Sequence, residues 1–211
     1  MPGHIAADAG TAPEAFVGSR LPEAERRLFL EARTPDAWSD RPVPLATLHR
    51  LHELVRLAPT AFNAGPARIL FVTTPEARDR LRPFLGRGNV GPVEVAPVTA
   101  IIGHDLDFFE HLPRLNPQWD AAKLFRGNPA LAEETAFRNG TLQGAYLILA
   151  ARLLGLDAGP VSGFDRAGLD AEFFPDGRVR SNFLCLLGHA AGPPSRPRAP
   201  RLAFEEACRV I

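Results

Sequence analysis

Gly159-Pro160-Val161-Ser162-Gly163-Phe164-Asp165 follows directly on a long apolar helix, and the reading of this stretch decides the fold. Gly163 sits in a tight turn, where a residue without a side chain leaves backbone N–H groups open to a flat ligand. A purely local reading gives Gly163 the turn and Asp165 the cap of the next helix. The surrounding segments discriminate between the two.

The helix leading into the stretch spans residues 131–154. Its second half, residues 144–151, is apolar nearly all round, which puts it at the centre of the fold, with Gly155 as its stop. Upstream, Leu45, Leu48, Leu51, Leu54, Val55 and Ala58 repeat at helical spacing, and Pro59 closes that helix. Strand formers follow over 68–73, a surface helix over 75–85 and a second strand over 97–103. Residues 105–129 mix Phe, Trp, Pro and Asn without a clean period, and read as short helices and loops forming a candidate lid. A short helix over 167–174, a third strand over 181–188 and a proline-rich run over 193–200 that leaves the domain body complete the pattern. Residues 1–20 are rich in Ala, Gly and Pro with few large apolar side chains, and read as a disordered tail before one domain over 21–211. The strands lack regular βαβ spacing. The fold class is therefore α+β, a small central mixed sheet surrounded by helices.

Composition narrows the partners. Lys+Arg and Asp+Glu are equal at 24 each, so no net field draws the chain to nucleic acid or an anionic membrane. The two cysteines, Cys185 and Cys208, fit neither a disulfide framework nor a zinc spacing. The longest apolar run, residues 145–151, is too short to span a bilayer, and the N-terminus has no basic-then-apolar signal pattern. A cytoplasmic protein with small-molecule partners or a second copy of itself is expected, with no nucleic acid and no membrane.

Gly86-Arg87-Gly88-Asn89-Val90-Gly91 matches the Gly-x-Gly-x-x-Gly string of dinucleotide sites, but it follows a helix instead of a strand and runs into Pro92. It reads as a glycine-rich loop from which Asn89 offers a side-chain amide. His49 and His52 lie one helical turn apart without a third ligand, so no metal is expected. No Gly-x-Ser-x-Gly motif occurs.

Five spaced segments resemble the nitroreductase family of FMN oxidoreductases, in that family's order. Ala32-Arg33-Thr34-Pro35-Asp36-Ala37-Trp38-Ser39-Asp40-Arg41-Pro42-Val43 is similar to its opening Arg-Arg-Ser-x-Arg-x-Phe-x-Asp-x-Pro-Val. Ala58-Pro59-Thr60-Ala61-Phe62-Asn63-Ala64-Gly65-Pro66-Ala67-Arg68 resembles its Ala-Pro-Ser-x-x-Asn-x-Gln-Pro-Trp-Arg. Asn89 precedes the second strand, the Gly163 loop matches Pro-x-x-Gly-Phe-Asp, and Arg201-Leu202-Ala203-Phe204-Glu205-Glu206 looks like a C-terminal Arg-Lys-Pro-Leu-Glu-Glu. Residues 137–151 and 181–185 resemble the branch containing malonic semialdehyde reductase. Three positions depart from the pattern: Asp36 replaces a basic residue, Gly65 a Gln, and Ser162 an acidic residue.

The resemblance implies an intertwined homodimer with FMN at each subunit interface and NADH or NADPH as electron donor. Arg33, Arg198 and Arg201 would hold the phosphate, with Thr34 beside them; Asn63 and Asn89 would orient the ring; and the Gly163 N–H, next to Ser162, would face N5. No side chain is assigned as catalytic. The implied acceptor is 3-oxopropanoate, reduced to 3-hydroxypropanoate, with a nitroaromatic or quinone second. A non-catalytic flavin-binding protein of the same fold is the alternative from another class.

Overall fold

The computed structural model describes residues 21–211, and the expectation of a tail over 1–20 lies outside them. The chain divides into two units, Met1–Ala32 and Arg33–Ile211. In the first, helix α1 (Leu21–Glu25) continues as a wider π-type turn, Arg26–Leu30, with Arg26 paired to Glu23 at 2.8 Å and Glu31 at 3.0 Å.

The second unit is built on four strands, β1 (Ala67–Val72), β2 (Val98–Asp105), β3 (Asp157–Val161) and β4 (Val179–Gly188). Their order across the sheet is β1-β2-β4-β3, and every neighbouring pair is antiparallel. The expectation of a mixed sheet is thereby corrected. Between β1 and β2 the chain passes through α3 (Pro75–Leu81) and α4 (Arg87–Val95), which carry it out and back to the same end of the sheet. Residue pattern alone carries no strand direction.

β3 is the strand that the sequence hid. Gly159 and Pro160 argue for a loop, yet β3 lies at the sheet edge, where Pro160 opposite Cys185 loses a ladder N–H at little cost. A further correction concerns residues 86–91, which open helix α4 and form no loop; Val93 buries against the sheet, and Pro92 is accommodated within the helix. The preceding segment is helical, so the rejection of a dinucleotide fingerprint stands.

All eight residues of β2 are buried, because helices cover both faces of the sheet. On one face, Val98, Ala100 and Ile102 meet Cys185 and Leu187, the long helix α7 (Pro129–Leu153) through Leu147, Ala150 and Ala151, and helix α2 (Leu45–Val55). On the other, Ile101, Leu184 and Leu186 meet Leu81, Val93 and Leu169, the last from α8 (Arg166–Phe173). Each fully buried leucine contributes about 1.5–3 kcal/mol relative to exposure. α7 lies unusually close to the sheet at Gly144, where a Cβ would come within 2.6 Å of the Phe183 ring.

Residues 105–129 form the expected short helices: a 3-10 turn Phe108–His111, α5 (Leu112–Leu115) and α6 (Ala121–Arg126). These have a core of their own, with Phe108 and Phe125 edge-to-face at 4.9 Å. A final short helix, α9 (Phe204–Ala207), lies in the exposed C-terminal run.

Asp105, 2% exposed at the end of β2, ties this insert to the sheet. Its carboxylate accepts from Arg68 of β1 at 2.5 Å, from Arg178 at 2.8 Å and from the Asp107 N–H at 2.9 Å. Arg178 continues to Glu110 at 2.8 Å. Burial alone would raise the Asp105 carboxyl, but the Arg178 hydrogen bonds and the Arg68 charge outweigh it and hold the group below its ordinary value. A depressed folded value means the contribution is complete above about pH 4 and is lost as pH falls through the folded value. Asp105→Asn is expected to cost about 3 kcal/mol at pH 7, near the low end for removing one partner of a buried pair because both arginines keep some solvent. Denaturant unfolding at pH 7 and in acid checks this, with the wild-type and variant stabilities converging at low pH.

Candidate functional site

The opening motif and the C-terminal run are stitched together by backbone. Ser39 N–H donates to the His189 carbonyl at 2.8 Å, Ala191 N–H to the Ala37 carbonyl at 2.9 Å, and Trp38 bridges Ala190. Asp36, the residue that breaks the basic pattern, accepts from the Ser195 N–H at 2.7 Å. Hydrogen bonding from Ser195 draws its carboxyl below the ordinary range. Asp36 thus anchors the proline-rich run.

That anchoring gathers arginines from distant parts of the sequence. Partial desolvation, then the like charges of Arg33, Arg201 and Arg152, lower the Arg198 guanidinium from its usual value. Arg201 additionally donates to the Ala199 and Pro200 carbonyls at 2.9 and 3.1 Å. Thr34 packs against β3, its methyl 3.0 Å from where a Gly159 Cβ would stand. Arg152 was not among the expected site residues, because a lone arginine in the last turn of a helix reads as a complement to the helix dipole. Desolvation lowers its guanidinium, and Asp157 and Cys185 lie within range of its charge. The Cys185 thiol is itself pushed up to about 12 by burial.

Beside β3, Ser162 and Gly163 are exposed in a tight turn closed by Phe164 N–H to the Ser162 carbonyl at 3.2 Å. The Gly163 carbonyl accepts from the Gly86 N–H at 2.9 Å and from the Asn89 side-chain amide at 2.8 Å. A Cβ on Gly163 would come within 2.6 Å of that amide, so a larger residue there would displace the Asn89 side chain from its bond to the turn. Asn89 therefore fastens the turn with one N–H of its amide and keeps its oxygen and second N–H for a ligand. Among the described residues the Gly163 N–H has no acceptor. Asp165 caps α8 through the Gly168 N–H at 3.2 Å, so the local reading of that residue holds as well.

Asn63 belongs to a different place. Phe62 and Asn63 take φ of 55° and 57°, left-handed values that cost about 1–3 kcal/mol each where the surroundings enforce them. What enforces them is two buried amides of α7. Asn139 Oδ1 accepts from the Ala61 N–H and Gln143 Oε1 from the Ala67 N–H, both at 2.8 Å. Asn63 donates its amide to the Leu115 carbonyl at 2.9 Å, and Asn116 donates to the Phe62 carbonyl at 3.3 Å. Gly65, where the motif has Gln, takes φ +49°. Asn139 and Gln143 escaped the sequence reading, although two amides on an otherwise apolar helix are a legible signal.

Two cavities flank α7. One, about 870 Å³, is lined by Asn63, Gly65, Arg68 and Gln143. The other, about 410 Å³, is lined by Thr141, Ala145, Ile148, Val161, Ser162 and Phe183. Gln143 lies roughly 200° around the helix from Thr141 and Ala145. Ser162, with Gly163 and Asn89 joined to it, thus borders the cavity on the Thr141 side of α7, and Asn63 the cavity on the Gln143 side, while Arg33, Arg152, Arg198 and Arg201 form a group of their own. Among the described residues no His, Cys, Asp or Glu cluster suits a metal, and no helix is long and apolar enough to cross a membrane.

The family described as "Nitroreductase family" matches residues 33–180, more than half of the chain. The chain belongs to the nitroreductase family. A nitroreductase relative in Burkholderia lata, provisionally named NADH dehydrogenase/NAD(P)H nitroreductase, is 56% identical over 87% of this chain and 94% of its own length. Another of the same name from Rhodopseudomonas palustris is 52% identical over 92% and 100%. Among solved structures, the FMN complex of a provisionally named nitroreductase from Exiguobacterium sibiricum superposes with a TM-score of 0.79 at 18% identity, covering 88% of this chain and 96% of that one. A nitroreductase family protein from Streptococcus pneumoniae gives 0.75 at 20% identity, over 91% and 100%. These two likenesses establish the nitroreductase fold.

The gathered guanidiniums are a candidate anion site, since arginine offers paired, permanently charged donors to phosphate. In protein stripped of small ligands, inorganic phosphate at about ten times its Kd is expected to raise the thermal midpoint by about 3–5 °C. Arg201→Gln is expected to remove most of that rise, as read by calorimetric melting.

Proposed function

We propose that this chain is an FMN-dependent oxidoreductase that moves a hydride from NADH or NADPH to a small acceptor. The observation carrying the reading is the meeting of Arg33, Arg152, Arg198 and Arg201, with Thr34 of the opening segment packed on β3, the strand that leads into the turn whose Gly163 N–H has no acceptor among the described residues. These residues fit FMN: the arginines suit its phosphate, and a glycine held without a Cβ beside Asn89 suits the close approach of a flat ring. FMN, when bound, supplies the hydride chemistry.

The residues of the chain do the rest. Arg33, Arg198 and Arg201 hold the phosphate, Thr34 and Arg152 border it, and the Gly163 N–H orients the ring edge. Asn89 secures Gly163 through its carbonyl, with Ser162 preceding it. Asn63 serves a ring bound mainly by a second copy, because α7 stands between it and the chain's own Gly163. An intertwined homodimer with paired sites follows.

The first acceptor is 3-oxopropanoate, on the likeness of residues 137–151 and 181–185 to that branch. Its aldehyde carbon gains the hydride, its oxygen gains a proton from solvent, and NAD(P)H becomes NAD(P)⁺. A nitroaromatic or quinone acceptor is the second reading, favoured by the names of the relatives. The protein is assigned to the cytoplasm, where both free cysteines stay reduced.

Purified protein is expected to be yellow, or to take up added FMN, and to lose its visible absorbance when NADH or NADPH is added without oxygen. Arg201→Gln should weaken FMN at least about tenfold while leaving riboflavin, which lacks the phosphate, nearly unchanged. Colourless protein that takes up no FMN overturns the reading. Bound flavin that neither nucleotide bleaches would leave a flavin-binding protein without turnover.

A further inference from the structure

The larger cavity carries a positive charge that flavin binding does not use. Three arginines, Arg56, Arg68 and Arg114, line it together with His49 and His52, and no lining side chain is acidic. Two of the three arginines are answered. Arg68 is paired with Asp105 at 2.5 Å, and Arg56 lies 3.3 Å from Glu53. Arg114 makes no ion pair or side-chain hydrogen bond with any described residue.

Its position is fixed by its neighbours. Arg114 lies in the last turn of α5, directly before Leu115, whose carbonyl receives the Asn63 amide, and two residues before Asn116, which holds the Phe62 carbonyl. The cation and Asn63 are thus fastened to one another and open on the same space. Leu48, Val55, Ile69 and Phe71 supply an apolar part of the wall, and the exposed Arg114 stands at the edge of the cavity without a carboxylate among the described residues to answer it. At about 870 Å³ the cavity accommodates a small organic molecule.

We propose that Arg114 recognises a carboxylate on the acceptor, making this cavity selective for small anionic carbonyl compounds over neutral ones. A guanidinium binds a carboxylate through two parallel N–H donors, a geometry that Lys reproduces only as a point charge. The inference rests on the flavin reading, because the cavity is an acceptor site only where Asn63 borders a flavin.

Malonate, a dianion with no reducible carbonyl, and malonamide, its neutral counterpart, test this. Both are titrated by calorimetry into the purified holoprotein, wild type, Arg114→Gln and Arg114→Lys. Malonate is expected to bind wild type, Arg114→Gln to weaken it at least about tenfold, and Arg114→Lys to retain part of the affinity. FMN content reports whether each variant is folded. In anaerobic reoxidation of the reduced protein, Arg114→Gln should also lower the preference for 3-oxopropanoate over propanal by a similar factor. Equal malonate affinity in wild type and Arg114→Gln, no malonate binding to wild type, or malonamide binding as tightly as malonate overturns the proposal. Protein that takes up no flavin fails the flavin reading instead, and calorimetry on it still reports whether Arg114 binds the anion.

Discussion

The close seating of α7 on the sheet is the constraint from which the site geometry follows. Gly144 lets the helix approach Phe183 at a distance that a Cβ would block. Held there, the helix faces two ways. Asn139 and Gln143 reach one loop and impose left-handed backbone on Phe62 and Asn63, while Thr141 and Ala145 wall the cavity beside Ser162. A helix seated further out would hold neither loop nor wall in register. The buried amides give that face specificity at a polar cost that their hydrogen bonds offset.

A second theme is substitution of one anchor for another. At Asp36 the chain lacks the basic residue of the resembling motif, and the carboxylate instead fastens the run that delivers Arg198 and Arg201. These two join Arg33 and Arg152 in one group of four arginines. Likewise Gly65 removes an amide side chain from the Asn63 loop, where Gln143 of α7 binds the neighbouring backbone.

Much of this was legible in the sequence. Strands β1, β2 and β4 announce themselves through β-branched and apolar runs, and α7 through its length and apolar second half. Gly163, Arg33 and Arg201 stand in spaced motifs, whereas Arg152 stands in none. β3 was hidden because Gly159-Pro160 is locally a loop signal, and only the edge position makes it tolerable. α4 was hidden because two glycines and Pro92 weigh against a helix, while the burial of Val93 and the contacts of Gly86 and Asn89 with Gly163 are tertiary. Strand direction and the separation of Asn63 from Gly163 by α7 are likewise properties of the assembled chain. No spacing rule contains them.

The central claim is that one flavin site draws its arginines and glycine turn from one subunit and Asn63 from the other. Heterodimers purified through two different tags test it directly, with Arg201→Gln in one subunit and Asn63→Asp in the other. If the halves come from different subunits, both defects fall in one site and the second site is intact. The expected result is one FMN bound per heterodimer with wild-type affinity, and none at that affinity in either variant homodimer. A heterodimer in which every site is weakened would contradict the account, since it would place both residues on a flavin held by a single chain.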